Sequence, residues 1–434
     1  MPRTCKSARP HRSCQPPAHQ QLLPDSMERN STTPPNSASA GPLSGVRVVD
    51  LSRLVAGNML SMQLADFGAD VIKVESAREG DTLRHWREDL GDGAFLDAWW
   101  QVYGRNKKSL ALDLRDHEAI ELLRRLVAGA QVLIESFRPG TLEAMGLAPA
   151  SLHDINRQLV IVRISGWGQT GPYRDLPGFG SLLEGFCGFA HKHAVDGVPQ
   201  LPNLALADMV AGLAGAFATV AAVREVEVKG GQGQVVDLSL LEPMLAIMGP
   251  DVTTYSATGR VTGPSVKIAS PRGVYQCKDG GWVALSGSTD AMARRVLEAI
   301  GRGDLAGQAR FATNAARLAN DAELDALIAD AIAKFDRDEC LAHLRAQGVT
   351  AGPIHDAAAL AADPHVVDRA CYVTPSHAGG TFMQNVMPRL VNTPGQIRHA
   401  APLLGQHSAQ VLREAGLDDA HIEELSARGA IKCN

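Results

Sequence analysis

The sequence predicts an open, mainly parallel α/β sheet followed by a smaller α+β region. Two observations carry this. Short β-branched runs alternate with helically spaced apolar residues from Gly45 to Leu240. After about residue 260 the pattern changes to a hairpin followed by consecutive helices.

The elements follow in order. Val46 to Leu51 is a buried strand, and Gly57 to Phe67 is a helix with Gly68 at its end. Asp70 to Glu75 completes a β-α-β unit. Ser109 to Leu114, the helix Glu118 to Ala128, and Gln131 to Glu135 repeat it. Gln158 to Ile164 adds a strand, and Gly230 to Leu240 another after a long helix. Strands alternating with helices imply parallel pairing through crossover connections. Gly273 to Cys277 and Gly281 to Ser286 flank Lys278-Asp279-Gly280, a hairpin. Helices follow over Asp290 to Ile300, Asp321 to Lys334 and Arg337 to Gln347, and a last one over Ser408 to Ala415.

Composition bounds the function. Over 434 residues, 45% are apolar and 21% charged, as in a globular chain large enough for two domains. A net charge of -5, spread along the chain, gives no reason to expect nucleic acid or a membrane as partner. The longest weakly polar stretch, Leu204 to Val223, carries Asp208 and is rich in Ala and Gly, which predicts a buried core helix. Seven scattered cysteines without CxxC spacing predict neither disulfides nor zinc, and a cytoplasmic location is expected. Residues 1–41 are rich in Pro, Ser, Gln and Asn, and are expected to be disordered.

Several chemistries are disfavoured by missing motifs. The turn after the first strand, Asp50-Leu51-Ser52-Arg53-Leu54-Val55-Ala56-Gly57, is neither GxGxxG nor a P-loop. GxSxG is missing, and the histidines have no metal-ligand spacing, so no metal is expected. Two features remain. Arg53, Arg78, Arg84, Arg105, Lys107, Lys108, Arg115 and Arg138 fall near strand ends and in loops. They fit either a phosphorylated ligand beyond the carboxyl ends of the strands or an ordinary charged surface. Asp208 is a lone acid in the apolar, small-residue segment 204–212. It reads either as a helix-start carboxylate or as a functional acid that Ala205, Ala207, Ala211 and Gly212 leave open to a bulky substrate.

Seven ordered blocks resemble one family. They are Gly45 to Leu51, Gly68 to Glu75, Asn106 to Leu114, Glu135 to Gly140, Gly166 to Tyr173, Gly231 to Asp237 and Ala401 to Gly405. Together they resemble the family III CoA-transferases, which include formyl-CoA and carnitine CoA-transferases, in the superfamily of the α-methylacyl-CoA racemases. The resemblance implies a large Rossmann-like domain over residues 42–260, to which residues 371–434 return. It also implies a small α+β domain over 261–370 and an interlocked homodimer. Asp208 is then the nucleophile, and an acyl-CoA thioester and a carboxylic acid are the substrates, with no tightly bound cofactor. By resemblance Leu54, Val55, Leu112, Arg115, Phe137 and Arg138 contact CoA, and Lys107 and Lys108 serve its phosphates; where basic contacts of the family are replaced, at Ser76 and Ala144, the neighbouring Arg78 and Arg138 are candidates to compensate. An ordinary aspartate, with a pKa of about 3.9, would be ionised at neutral pH and need no base.

The departures are as informative. Racemases carry a Gly-His-Asp stretch where this chain has Gly178-Phe179-Gly180, which disfavours an isomerase-type relative. The segment Gly259 to Gly273 has no run of glycines like the loop that covers the intermediate in formyl-CoA transferase. Glu184 is either a second polar group of the site or an exposed helix residue, and exposure is the expectation. Arg174 and Arg272 are either candidates to meet a distal carboxylate of a substrate such as succinate or ordinary surface charges. A non-catalytic CoA-binding subunit is the remaining alternative, opposed by the presence of Asp208.

Overall fold

The computed structural model describes residues 41–264, 266–376 and 380–434. The expectation of disorder in residues 1–41 therefore lies outside the described residues, Gly41 excepted. Two compact units are present: residues 41–354 with 373–434, and His355–Tyr372.

The larger unit is built on a seven-stranded sheet. Its strands run in the order Ile431–Lys432, Lys107–Leu112, Asp70–Ser76, Arg47–Asp50, Val132–Glu135, Val160–Ser165, Val235–Ser239. All neighbours pair in parallel except the edge strand Ile431–Lys432, which runs antiparallel to Lys107–Leu112. Strands buried on both faces read as near-continuous apolar runs rather than alternating ones, broken here by buried charges such as Asp50, Lys73 and Glu135. Val49, Ile72, Leu110, Leu133 and Ile161 accordingly face one core. Val48, Val71, Val132, Val160 and Val162 face the other.

Helix His117–Ala128 covers the first face. Asp116 caps it, accepting the Glu118 and Ala119 amides at 2.8 and 3.2 Å. Helices Leu54–Asp66 and Leu206–Lys229 pack together on the second. They approach closely because Gly212 and Gly215 have no side chain. A β-carbon on Gly212 would stand 2.8 Å from Met59 Cβ, and one on Gly215 2.5 Å from Leu60 Cδ1. The C-terminal segment joins the same sheet. The His407 amide donates to Ser109 O at 3.0 Å, and Ser408 Oγ accepts the Ala111 amide at 3.1 Å.

Helix Leu206–Lys229 differs from the expected buried core helix. By length and composition it is apolar enough to cross a membrane. One face packs on the sheet, while Leu213, Phe217, Val220 and Val228 are exposed, Phe217 by 78%.

The same unit holds a three-stranded antiparallel sheet, Ala351–Pro353, Trp282–Ser286 and Arg272–Gln276. The last two form the expected hairpin. Helices Asp290–Ala299, Asp321–Ile332 and Arg337–Ala346 pack with it around Phe311, Leu324 and Ile328. In the smaller unit, Asp356 and Asp363 cap two short helices, Ala357–Ala362 and Pro364–Asp368.

Candidate active site

The sheet reverses direction of growth between its first and fourth strands in chain order, Arg47–Asp50 and Val132–Glu135. In such folds ligands bind beyond the carboxyl ends of the strands at that reversal. A cleft of about 420 Å³ lies there, lined from four strand ends by residues such as Ser52, Arg53, Arg78, Leu112, Arg115 and Phe137. Four of the expected CoA contacts, Arg78, Leu112, Arg115 and Phe137, thus share one cavity. Arg138 follows Phe137 and is exposed. Arg53 also lines the cleft; the sequence marks it as basic and at a strand end, but nothing there separates it from other surface arginines.

Buried charge shapes the walls. Glu135 is held by Arg163 at 2.7 Å and accepts the Phe137 amide at 2.7 Å, which sets the turn carrying Phe137. Arg115 grips Asp113 through two bonds, of 2.8 and 2.7 Å, and Arg78 approaches the same carboxylate at 3.5 Å. Arg115 pulls the Asp113 carboxyl down to about 2. Both guanidiniums stay largely exposed and can meet an anion in the cleft.

Leu54 does not line the cleft through its side chain. Its backbone is left-handed, with φ of 64°, and its amide donates to Asp81 Oδ1 at 3.1 Å. Val55 is buried beside Met62, Leu83, Trp100 and Tyr103. Both residues belong to the frame that shapes the loop.

Lys107 departs from the expectation of a phosphate contact. It is buried, donating to Asn58 O at 3.0 Å and Asn58 Oδ1 at 2.9 Å, with Asp50 at 3.7 Å. Burial pushes its ammonium down to about 7, against the attraction of Asp50. Lys73, equally buried, lies 3.0 Å from Asp81 and 3.6 Å from Asp50 and bonds Ser52 O. This network fixes the loop 50–54 from below. Lys108 also turns away, pairing with Asp70 at 2.8 Å.

Asp208 lies in the first turn of helix Leu206–Lys229, where unpaired amides and the helix dipole favour negative charge. It is half-buried. Burial, and then the neighbouring Glu184 carboxylate, raise its carboxyl to about 6, against hydrogen bonds from its own amide and that of Ala56. The expected ordinary carboxylate is therefore a more basic one. Helix Gly180–Phe186 faces it. A β-carbon on Gly180 would meet Asp208 Oδ2, and one turn on, Glu184 Oε1 accepts the Ala207 amide at 3.0 Å.

Two expectations are corrected here. Glu184 is 2% exposed rather than a surface residue. Ala207, Ala211 and Gly212 are buried in helix packing, so their smallness serves the approach of helix Leu54–Asp66 rather than of a substrate.

A second cavity, of about 790 Å³, lies against the antiparallel sheet, and Arg272, Lys192 and Thr350 are among its lining residues. Arg174 is exposed and pairs with Asp175 at 3.3 Å. Among the described residues, no group of three His, Cys, Asp or Glu side chains could hold a metal ion.

A Rossmann-type strand order and an arginine-rimmed cleft beyond the strand ends define an α/β protein with a place for an anionic ligand at the reversal of the sheet. Residues 43–408 match the model of CoA-transferase family III, and the chain belongs to that family. It is a CoA-transferase, working between an acyl-CoA and an acid. It is 38% identical over 400 residues to succinyl-CoA–D-citramalate CoA-transferase of Chloroflexus aurantiacus, covering 90% of this chain and 98% of the relative. Succinate–glutarate CoA-transferase of Agrobacterium fabrum is 35% identical over 386 residues, with 86% and 95% covered. The crystal structure of a CAIB/BAIF family protein from Brucella suis superposes with a TM-score of 0.76 at 34% identity, covering 87% of this chain and 100% of that one.

Proposed function

We propose that Asp208 carries CoA between two dicarboxylic acids as a covalent thioester. The observation that supports this best is the position of Asp208: a half-buried carboxylate at a helix start, backed by Gly180. A carboxyl raised to about 6 is still mainly ionised at neutral pH, and its higher basicity makes it a better nucleophile.

The steps balance without an external acid, base or oxidant. An Asp208 oxygen attacks the acyl-CoA carbonyl, and the carbon–sulfur bond breaks to give a mixed anhydride and CoA thiolate. The thiolate attacks the Asp208 carbonyl and expels the donor acid as its carboxylate, leaving an Asp208–CoA thioester. The acceptor carboxylate attacks that thioester and expels the thiolate. Thiolate attack on the acceptor carbonyl then releases the new acyl-CoA and restores the Asp208 carboxylate.

CoA lies in the 420 Å³ cleft in this reading. Arg53, Arg78, Arg115 and Arg138 take its phosphates, and Leu112 and Phe137 its apolar portions. Lys107 is left out because it is buried. Succinyl-CoA is the proposed donor, since the names of several relatives contain it, and a short dicarboxylate is the proposed acceptor. The exposed face of helix Leu206–Lys229 supports a homodimer of interlocked chains. The five described cysteines are free, which suits a cytoplasmic location.

The test is a matrix of acyl-CoA donors and acids, read by mass spectrometry of the acyl-CoA products. Exchange between succinyl-CoA and a dicarboxylate supports the reading. Exchange only with monocarboxylates overturns the substrate class, and deuterium uptake at the α-carbon without exchange would point to an isomerase instead.

A further inference from the structure

We propose that Glu184 is a positioning residue that favours the covalent state of Asp208 by keeping a second carboxylate buried beside it. The inference rests on the reading of Asp208 as nucleophile.

Gly180 and Glu184 are four residues apart in helix Gly180–Phe186 and therefore share one face. That face meets the start of helix Leu206–Lys229 at two points. Gly180 gives room to Asp208 Oδ2, and Glu184 Oε1 accepts the amide of Ala207, the residue before Asp208, at 3.0 Å. Glu184 is 2% exposed, so water screens it little. From the elements packed against it, the groups that act on Asp208 are the Ala56 amide of helix Leu54–Asp66 and the Glu184 carboxylate of helix Gly180–Phe186, whose Gly180 faces Asp208 Oδ2.

Two carboxylates sharing a low-dielectric site disfavour each other's charge. Thioester formation removes one of those charges: the acyl-CoA and the Asp208 carboxylate become an Asp208–CoA thioester and a released acid carboxylate. The negative charge leaves with the acid, and the repulsion ends. The like-charge interaction that raises the Asp208 carboxyl therefore also pulls the exchange equilibrium toward the loaded enzyme. The Ala207 bond is a separate contribution, holding the turn that aims Asp208.

Glu184→Gln separates the two, because its amide oxygen can still accept the Ala207 N–H while the charge is gone. Wild type, Glu184→Gln and Glu184→Ala are equilibrated with succinyl-CoA and known succinate, and the fraction carrying CoA is read by intact mass. Glu184→Gln should lower the loading equilibrium by up to about tenfold, the change equivalent to one pKa unit. It should also move the acid limb of kcat/KM to lower pH while KM for succinyl-CoA stays within about twofold. Glu184→Ala, which loses the amide acceptor as well, should lower kcat further. Wild type that loads, with Glu184→Gln matching it in both loading and pH limb, would overturn the proposal. Wild type that never loads would instead overturn the Asp208 reading on which it rests.

Discussion

A β-carbon placed on Gly180 would stand 2.4 Å from Oδ2 of Asp208. The carboxylate occupies the space that a side chain would fill, so the glycine is part of how the acid is aimed. Gly180→Ala should push the Asp208 carboxylate aside without unfolding the chain. A misplacement of about 1 Å in a reacting group can lower rate by around a hundredfold. Steady-state kinetics should show kcat falling by about ten- to a hundredfold, with KM for acyl-CoA little changed.

The pH dependence follows from Asp208. Its carboxyl is raised to about 6, so the proposed nucleophile is ionised above that pH and protonated below it. The kcat/KM profile should fall on an acid limb near pH 6, by about tenfold for each further unit. Burial that raises an acid's pKa destabilises the folded, ionised form, and this penalty is present above pH 6 and lost below the unfolded value. Asp208→Asn should therefore melt at a higher temperature than wild type at pH 8. The gain should disappear as the pH falls through the window from about 6 to about 3.9.

Lys107 and Arg115 should separate stability from binding. Lys107 is buried among Asn58 and Asp50, and breaking a buried ionic network costs about 3–5 kcal/mol. Lys107→Ala should lower the unfolding midpoint in urea, with KM for acyl-CoA nearly unchanged in the fraction that folds. Arg115→Ala removes an exposed guanidinium at the cleft. It should raise KM for acyl-CoA by about tenfold, through the lost charge-assisted bond to a phosphate, and leave the midpoint in place, since an exposed ion pair adds little to folding.

The exposed face of helix Leu206–Lys229 yields a prediction about assembly. Phe217 is 78% exposed among Leu213 and Val220. Burying an aromatic side chain of this kind contributes roughly 1.5–3 kcal/mol. Light scattering should give wild type the mass of two chains, and Phe217→Asp should reduce the dimer fraction or the yield of folded protein. A wild-type monomer would contradict the interlocked dimer.

Much of the fold was legible because buried parallel strands announce themselves locally. Val46 to Leu51 and Asp70 to Glu75 are rich in valine and isoleucine and match observed strands to within a residue or two. The hairpin Glu88–Gly91 with Ala94–Leu96 was not legible, because its residues are exposed and lack apolar alternation. Lys107 was misread because lysine is nearly always exposed unless paired. Its partners, Asn58 and Asp50, come from a helix and a strand much earlier in the chain. The burial of Glu184 is hidden for the same reason: its helix packs on the start of helix Leu206–Lys229, and its carboxylate is met by the Ala207 amide, 23 residues further on. Local pattern reveals which segments are strands, while the charge state and burial of a side chain depend on what the fold brings beside it.

The most direct test of the central claim is the intact mass of the enzyme quenched during turnover with succinyl-CoA. The mechanism predicts a CoA adduct on wild type that maps to the peptide containing Asp208, is cleaved by hydroxylamine, and is missing from Asp208→Asn together with activity. An unmodified wild-type chain during turnover, with Asp208→Asn turning over at the wild-type rate, would contradict it.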